Sequence, residues 1–568
     1  MKVSDYIIEF LLEKGVTGMF GYPGGVICHV MDSVTKYGGK ITAHTLYHEQ
    51  SCAFAACAYA QATHNLGVAF ATSGPGATNL VTGIAGAFYD SIPVLFLTGN
   101  VDTYGVKGDR PIRQRGFQET DFVSIVQSIT KYSVFVTSPD DIVYCLEKAY
   151  FLAMQGRPGP VVLDLPADIQ RAEVDVAAAR HFKAEYDNPL PAHALQTLIN
   201  DLRTAKRPCI LAGGGVKQSG NAPRLKQLLE KLGIPLVTSL PAVDLLPSNH
   251  KLSGGFIGTN GHRYGNFILS KADLVLTLGT RLDLKQVGNK RDNFAPNAKL
   301  YRVDIDSGEL SYPVRSNEVP LLMDISDFLK HFETYIGDTR LDTDAWIDLC
   351  AKLKEKLKTI DFCTYHHLIN KLSGALPQNI NITVDTGQSS VWAPQSFEFK
   401  DNQHFFVSAG LGSMGYSLPA AIGAYYANKL PVVCFAGDAG IQMNIQELQY
   451  IDKEHLPIAV VILNNNSMGM IRQFQEKNFN KNYYLTTADA GYASPDFEKI
   501  AGAYNFRYKK ITSPNDTVEA LFPLTSPLLI DVQFETETYL LPNFNAGKPL
   551  DDMDPPLERG LYKELADL

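Results

Sequence analysis

This sequence predicts an α/β protein of three doubly wound domains with mostly parallel sheets, and three observations carry that prediction. Short apolar, β-branched runs recur along the chain, each ending in a Gly- or Asn-rich turn. Helical stretches separate them. Two polar segments divide the chain into parts of ordinary domain size, as 568 residues are too many for one hydrophobic core.

The first part carries buried runs at Val68–Ala71, Val94–Leu97 and Val161–Asp164. The second carries Cys209–Ala212 and Leu274–Thr277. The third carries Val432–Phe435, Val460–Leu463 and Leu528–Asp531. Continuous apolar runs of this kind belong to parallel sheets covered on both faces. Residues near 171–195 are polar and Ala-rich, ending in Asn188-Pro189-Leu190-Pro191, and Tyr335 to Asp344 is polar without apolar period. Both read as linkers. The expected domains are therefore 1–172, 190–335 and 345–568, the last with a Pro- and Asp-rich tail from Pro542 that covers a surface. At the N-terminus, Tyr6-Ile7-Ile8 and Phe10-Leu11-Leu12 alternate with Asp5, Glu9 and Glu13 at helical spacing, which argues against a signal peptide.

Composition excludes several classes. Hydrophobic residues at 45% and charged residues at 20% are those of an ordinary globular protein. A net charge of −9 argues against a nucleic-acid surface. No apolar run reaches the ~18 residues that span a bilayer. The eight cysteines are scattered, neither a disulfide framework nor paired metal ligands, so a cytoplasmic location is expected.

The sharpest chemistry lies in the third part. The run Val432–Phe435 leads to Gly437-Asp438-Ala439-Gly440, a helical stretch over Gln442–Glu454 follows, and the next run ends in Asn464-Asn465-Asn466. Asp438 and Asn465 each stand at the carboxyl end of a parallel strand, where ligands sit in open α/β sheets. One carboxylate, one amide oxygen, a backbone carbonyl from the next turn and phosphate oxygens suit octahedral Mg²⁺. Glycines and free helix N–H groups suit phosphates. The competing reading is a Gly-Asp turn in an ordinary βαβ unit.

Over nearly its whole length the chain resembles the thiamine diphosphate enzymes of the acetolactate synthase (acetohydroxyacid synthase) large-subunit family. Gly437-Asp438-Ala439 stands where that family has Gly-Asp-Gly. The resemblance implies that Asp438, Asn465 and the Ser467 carbonyl ligate Mg²⁺, and that Gly437, Ala439, Gly440, Met468, Gly469 and Met470 line the cofactor. Gly410 to Ala421 matches a family stretch in which Gly412 contacts the cofactor and Met414 props it in a bent form. Gly387, Gln388 and Ser389 would hold the diphosphate end, with Ser389 replacing the family's usual His.

In the first part, Phe20-Gly21-Tyr22-Pro23-Gly24-Gly25, His48-Glu49-Gln50 and Ala71 to Asn79 match the family. The resemblance makes Glu49 the carboxyl group that bonds the pyrimidine ring nitrogen, for acid–base work relayed through the cofactor. Pro23 would touch the cofactor, and Gly24 and Gly25 would turn N–H groups to the substrate oxyanion. Phe117 and Gln118, in Phe117-Gln118-Glu119, would line the reacting centre; the alternative for Phe117 is core packing. In the family this glutamate serves a cofactor held by a partner, so a homodimer or a dimer of dimers is implied.

The middle part has Gly213-Gly214-Gly215, a weak phosphate signal alone. In the family Arg157, Gly213, Gly214, Gly215, Arg281, Asp283, Asp304 and Asp324 correspond to FAD contacts. A family segment Arg-Phe-Asp-Asp-Arg reads here Arg281-Leu282-Asp283-Leu284-Lys285, so the middle domain either binds FAD or is scaffold alone. Lys285, Phe474 and Ala167 replace the Arg, Trp and Lys that shape the family's acceptor pocket, and Lys lacks the two-pronged geometry of Arg. Decarboxylation of pyruvate and transfer of the hydroxyethyl or acetyl unit to a carbonyl acceptor, as in acetolactate synthases, is the expected function. Transfer to a keto-sugar or aldehyde, simple decarboxylation, and a non-catalytic relative are its rivals. A small regulatory subunit is left open.

Overall fold

The computed structural model describes residues 1–185 and 190–568. The Asn188-Pro189 step of the first linker lies outside the described residues. Three six-stranded sheets follow one another along the chain. The first contains β1 (Gly18–Gly21), β2 (Thr42–Thr45), β3 (Gly67–Ala71), β4 (Val94–Asn100), β5 (Tyr132–Phe135) and β6 (Val161–Pro166), in spatial order β2-β1-β3-β4-β6-β5. The second contains β7 (Pro208–Ala212), β8 (Leu236–Thr238), β9 (Ser253–Phe256), β10 (Leu274–Leu278), β11 (Lys299–Asp304) and β12 (Glu318–Leu322), in order β12-β11-β10-β7-β8-β9. The third contains β13 (Ile380–Val384), β14 (Gln403–Val407), β15 (Val432–Gly437), β16 (Ile458–Asn464), β17 (Arg507–Ile511) and β18 (Leu528–Gln533), in order β14-β13-β15-β16-β18-β17. Their strand pairs are parallel.

The first and third sheets have the same order. Each reverses direction between its first and third strands, and a crevice opens at such a switch point. The helix after β2, Glu49–Thr63, is the counterpart of the helix after β14, Ser417–Asn428. These two helices pack on each other, and one apolar cluster runs through both sheets from Phe20 and Ala56 to Leu418, Ala421 and Val460. The approach is close because Gly423 has no side chain: a Cβ there would lie 2.0 Å from the Ala55 carbonyl oxygen. The second sheet's switch point lies between β7 and β10.

The tail does cover a surface. Leu550, Leu557 and Leu565 join Phe267, Leu300 and Trp346 in one cluster, closing a face of the second sheet with the helix Arg559–Asp567. Two sequence readings are corrected. The stretch Gln442–Glu454 is not one helix: 3₁₀ turns at Ile441–Met443 and Ile445–Glu447 precede a short helix, Leu448–Lys453. Asn444, at φ −136°, interrupts it and spends its amide on the Gly415 carbonyl at 2.8 Å. The second polar segment is also shorter than expected. The helix Ile325–Ile336 continues through Tyr335 and stops at Gly337, whose φ of +59° suits glycine.

Candidate active site

At the switch point of the third sheet, Asp385 directly follows β13 and Asp438 directly follows β15. Asp385 is fully buried, and its carboxylate accepts the Gly415 N–H at 2.9 and 3.1 Å and the Ser417 hydroxyl at 3.0 Å. It thereby folds the Gly410–Ser417 loop, with half-buried Met414, over the strand ends. Burial pushes this carboxyl up to about 6, against the pull of those donors. Sequence reading missed Asp385, although an Asp directly after an apolar strand is the signal that marked Asp438.

Asp438 is 2% exposed and accepts the Tyr492 hydroxyl at 2.9 Å. Burial raises it to about 6, opposed by Tyr492 and the backbone N–H groups of Asp438, Ala439 and Ser467. Asn465 donates its amide to Gln388 Oε1 at 2.9 Å and to Thr538 Oγ1 at 2.7 Å. Both amide protons are thus committed, and the Asn465 oxygen points the other way. A carboxylate, an amide oxygen and the carbonyl of the next turn, Ser467, therefore form an oxygen set of the kind that suits Mg²⁺. Gly387, at φ +111°, and Gly437 have nothing within 4 Å of an added Cβ, and Gly412 faces only Thr386. The Ser413 and Ser467 hydroxyls are buried without a partner. Glycine-floored space with orphaned hydroxyls and a free amide oxygen fits a diphosphate with its cation.

Other expected contacts are arranged differently. The Ser389 hydroxyl donates to the Asp385 carbonyl at 2.8 Å, so its proton is spent on the turn before its helix and not on a diphosphate. Gly469 is a packing position, where a Cβ would meet Gln388 Oε1 at 2.0 Å. Met468 precedes the helix Gly469–Asn478, and Met470 packs on the core beneath it. Gly440 backs onto Asp385, and half-buried Ala439 follows Asp438 in the turn.

The first sheet supplies a second half-site at its own switch point. Glu49 opens its helix, 8% exposed, and accepts the Asn79 amide at 3.0 Å. A Cβ on Gly76 would come 3.2 Å from Glu49 Oε1, and one on Gly24 would strike Thr72 at 2.4 Å. Gly25 is open, and Pro23 is exposed beside it. Gln118 takes a positive φ of 63° and packs against Gly74. Phe117 is 84% exposed, so it is not core packing.

Glu447, which sequence reading also missed, ties the halves together. It is fully buried beside the third sheet, and both its oxygens accept the Tyr47 N–H, at 3.1 and 3.0 Å, two residues before Glu49.

At the second sheet's switch point lies a cavity of about 540 Å³, bounded by all three sheets' surroundings. Gly214, Gly215, Arg157, Arg281, Asp283, Asp304 and Asp324 line it. Gly213 does not; it packs on Gly279, where a Cβ would meet the carbonyl oxygen at 2.2 Å. Arg157 pairs with Asp306 at 2.8 Å and Glu309 at 2.9 Å, and Asp283 and Asp324 cap helices with their carboxylates. Lys285 and Phe474 have exposed side chains, and half-buried Ala167 begins the helix Ala167–Arg171.

Two parallel sheets of like strand order, each with a half-site at its switch point, define a class that comparison with known families identifies. Residues 1–125 match the family described as thiamine pyrophosphate enzyme, N-terminal TPP binding domain; 195–332 match its central domain, and 385–532 its C-terminal TPP binding domain. The acetolactate synthase large subunit of Lactococcus lactis is 36% identical over 97% of this chain and 95% of its own length. The isozyme 2 large subunit of Escherichia coli is 34% identical over 92% of each chain, and the probable large subunit of Methanocaldococcus jannaschii 34% over 94% of this chain and 92% of its own. The chain belongs to the acetolactate synthase large-subunit family of thiamine pyrophosphate enzymes.

Proposed function

We propose that this chain removes CO₂ from pyruvate and joins the remaining two-carbon unit to a second carbonyl compound, giving acetolactate when that compound is another pyruvate. The observation that carries this reading is the pair of half-sites: Glu49 held by Asn79, and Asp438 beside an Asn465 oxygen left free. Thiamine diphosphate, when bound, supplies the electron sink that lets a 2-keto acid lose CO₂. Asp438, Asn465 and the Ser467 carbonyl hold Mg²⁺, which neutralises the diphosphate. Gly387, Gly412 and Gly437 would leave room for its oxygens, Gln388 holds the Asn465 amide beside them, and Met414 would support its rings. Glu49 holds and returns the proton of the pyrimidine nitrogen, with its carboxyl fixed by Asn79. The Gly25 N–H and the Gln118 amide donate to the oxygen on which charge develops.

The exposure of Phe117 supports a site completed by a second copy of the chain, as the resemblance implies. The cavity at the second sheet supports FAD: its position is where dinucleotides bind in sheets of this strand order, and Gly214 and Gly215 line it. A visible flavin spectrum in purified protein checks that part, and a colourless active enzyme refutes it. Among the described residues no helix is long and apolar enough to cross a membrane. Eight free cysteines support a reducing compartment such as the cytoplasm.

The test of the main reading is CO₂ release and mass detection of products from pyruvate with thiamine diphosphate and Mg²⁺. Glu49→Gln should cut CO₂ release by about 10²–10⁴-fold with the circular dichroism spectrum unchanged. Near-normal turnover in that variant sinks the assignment, and acetaldehyde as sole product favours the decarboxylase reading.

A further inference from the structure

The segment that leads into Phe117 and Gln118 inverts the charge of the molecule. Lys107, Arg110, Arg113 and Arg115 stand within nine residues with one carboxylate, Asp109, in a chain whose net charge is −9. Arg110, Arg113 and Arg115 are exposed. Arg110 braces its own loop, donating to the Val106 and Lys107 carbonyls at 3.4 and 2.9 Å. Among the described residues no hydrogen bond or ion pair engages the guanidinium of Arg113 or Arg115.

This loop is built. Glu119, 8% exposed, gathers the Lys107 N–H at 2.6 Å on one oxygen, and the Arg115 and Gly116 N–H groups at 2.7 and 3.3 Å on the other. Those donors hold its carboxyl below the usual range although burial opposes them. The Gln114 amide returns to the Glu119 carbonyl at 2.9 Å and closes the ring. The one buried carboxylate of the loop is thus spent on backbone, and the two arginines are left facing solvent. The ring is anchored to the site, as Gln118 packs on Gly74, and the turn that follows carries Gly76 and Asn79 against Glu49.

Two unpartnered guanidinium groups on a loop whose backbone Glu119 holds suit a phosphate, which Arg binds with two parallel N–H donors. We propose that the 107–115 loop docks a phosphate or diphosphate carried by the carbonyl acceptor. The acceptor class is then a phosphorylated or nucleotide-linked keto-sugar or aldehyde. This rests on the function proposed above.

The test uses the enzyme saturated with thiamine diphosphate and Mg²⁺. CO₂ release from pyruvate alone is measured first, and its absence overturns the proposed function and not the loop. Product formation is then compared for glyceraldehyde 3-phosphate against glyceraldehyde and fructose 6-phosphate against fructose, and UDP binding is measured by calorimetry without turnover. The phosphorylated partner should be preferred through KM. Arg113→Ala combined with Arg115→Ala should raise that KM about 10–100-fold, the loss of one or two charge-assisted contacts, while CO₂ release from pyruvate is unchanged. UDP binding should weaken by a similar factor and compete with the acceptor. UDP binding that is absent, or indifferent to the double variant, overturns the proposal. UDP binding that the variant weakens but that does not compete with acceptor makes the loop an effector site, and overturns the acceptor assignment.

Discussion

Replacing Glu447 with Gln tests how the two half-sites are joined. The side chain is fully buried, and burial pushes its carboxyl from an ordinary 4.5 up to about 7. In the unfolded chain the group ionises near 4.5, while in the folded chain it keeps its proton to about 7. Between those values the folded state binds more protons, so the group's contribution to stability falls as pH rises. Over a window from about pH 5.5 to about pH 8 the loss is about 2 kcal/mol. Gln has no charge to bury but loses one acceptor for the Tyr47 N–H, a cost of about 1–3 kcal/mol that does not change with pH. The deficit of Glu447→Gln relative to the parent should therefore shrink by about 2 kcal/mol between the two pH values. That is a relative shift of about 4–8 °C in the midpoint of thermal unfolding. Scans of both proteins at both pH values, with magnesium and cofactor omitted, measure it. A deficit that is the same at both pH values would show the carboxylate to be ionised throughout, and would refute burial as the governing effect.

Gly423→Ala should separate the Glu49–Thr63 and Ser417–Asn428 helices, since its Cβ would lie 2.0 Å from the Ala55 carbonyl oxygen. Overpacking of this kind costs about 1–3 kcal/mol; unfolding midpoints and CO₂ release should both drop, and an unchanged midpoint counts against the close helix crossing. Asp438→Asn should raise the Mg²⁺ concentration needed for half-maximal CO₂ release at least about 10-fold, through loss of the one charged ligand. Equal Mg²⁺ dependence in the two proteins would remove Asp438 from the cation site.

The alternation of apolar runs and turns was enough to place the interior strands β3, β4, β6, β7, β10, β15, β16 and β18, because a strand buried on both faces has few polar residues to disguise it. Asp438 and Asn465 were legible for a related reason: polar residues directly after such strands can only sit at the sheet's carboxyl edge. Asp385 obeys the same rule, but Asn381 and Thr383 interrupt the strand before it, which therefore does not read as a continuous apolar run. Glu447 could not be read at all. Its place in sequence is that of a helix-surface glutamate, and only the packing of the first sheet against the third makes it a buried acceptor for Tyr47. Phe117 shows the converse, an aromatic residue for which core packing was the alternative reading and which the fold leaves exposed.

By itself the sequence determined the three-sheet α/β plan and the family, since each depends on local pattern and on motifs contiguous in the chain. Tertiary structure alone decided which groups remain free for ligands. The Ser389 hydroxyl is spent on Asp385, the Asn465 oxygen is released by the use of its amide, and Arg113 and Arg115 are left bare because Glu119 turns to the backbone. Hydrogen-bond commitment is a property of neighbours in space, and a residue's letter records the groups it has but not the partners that occupy them.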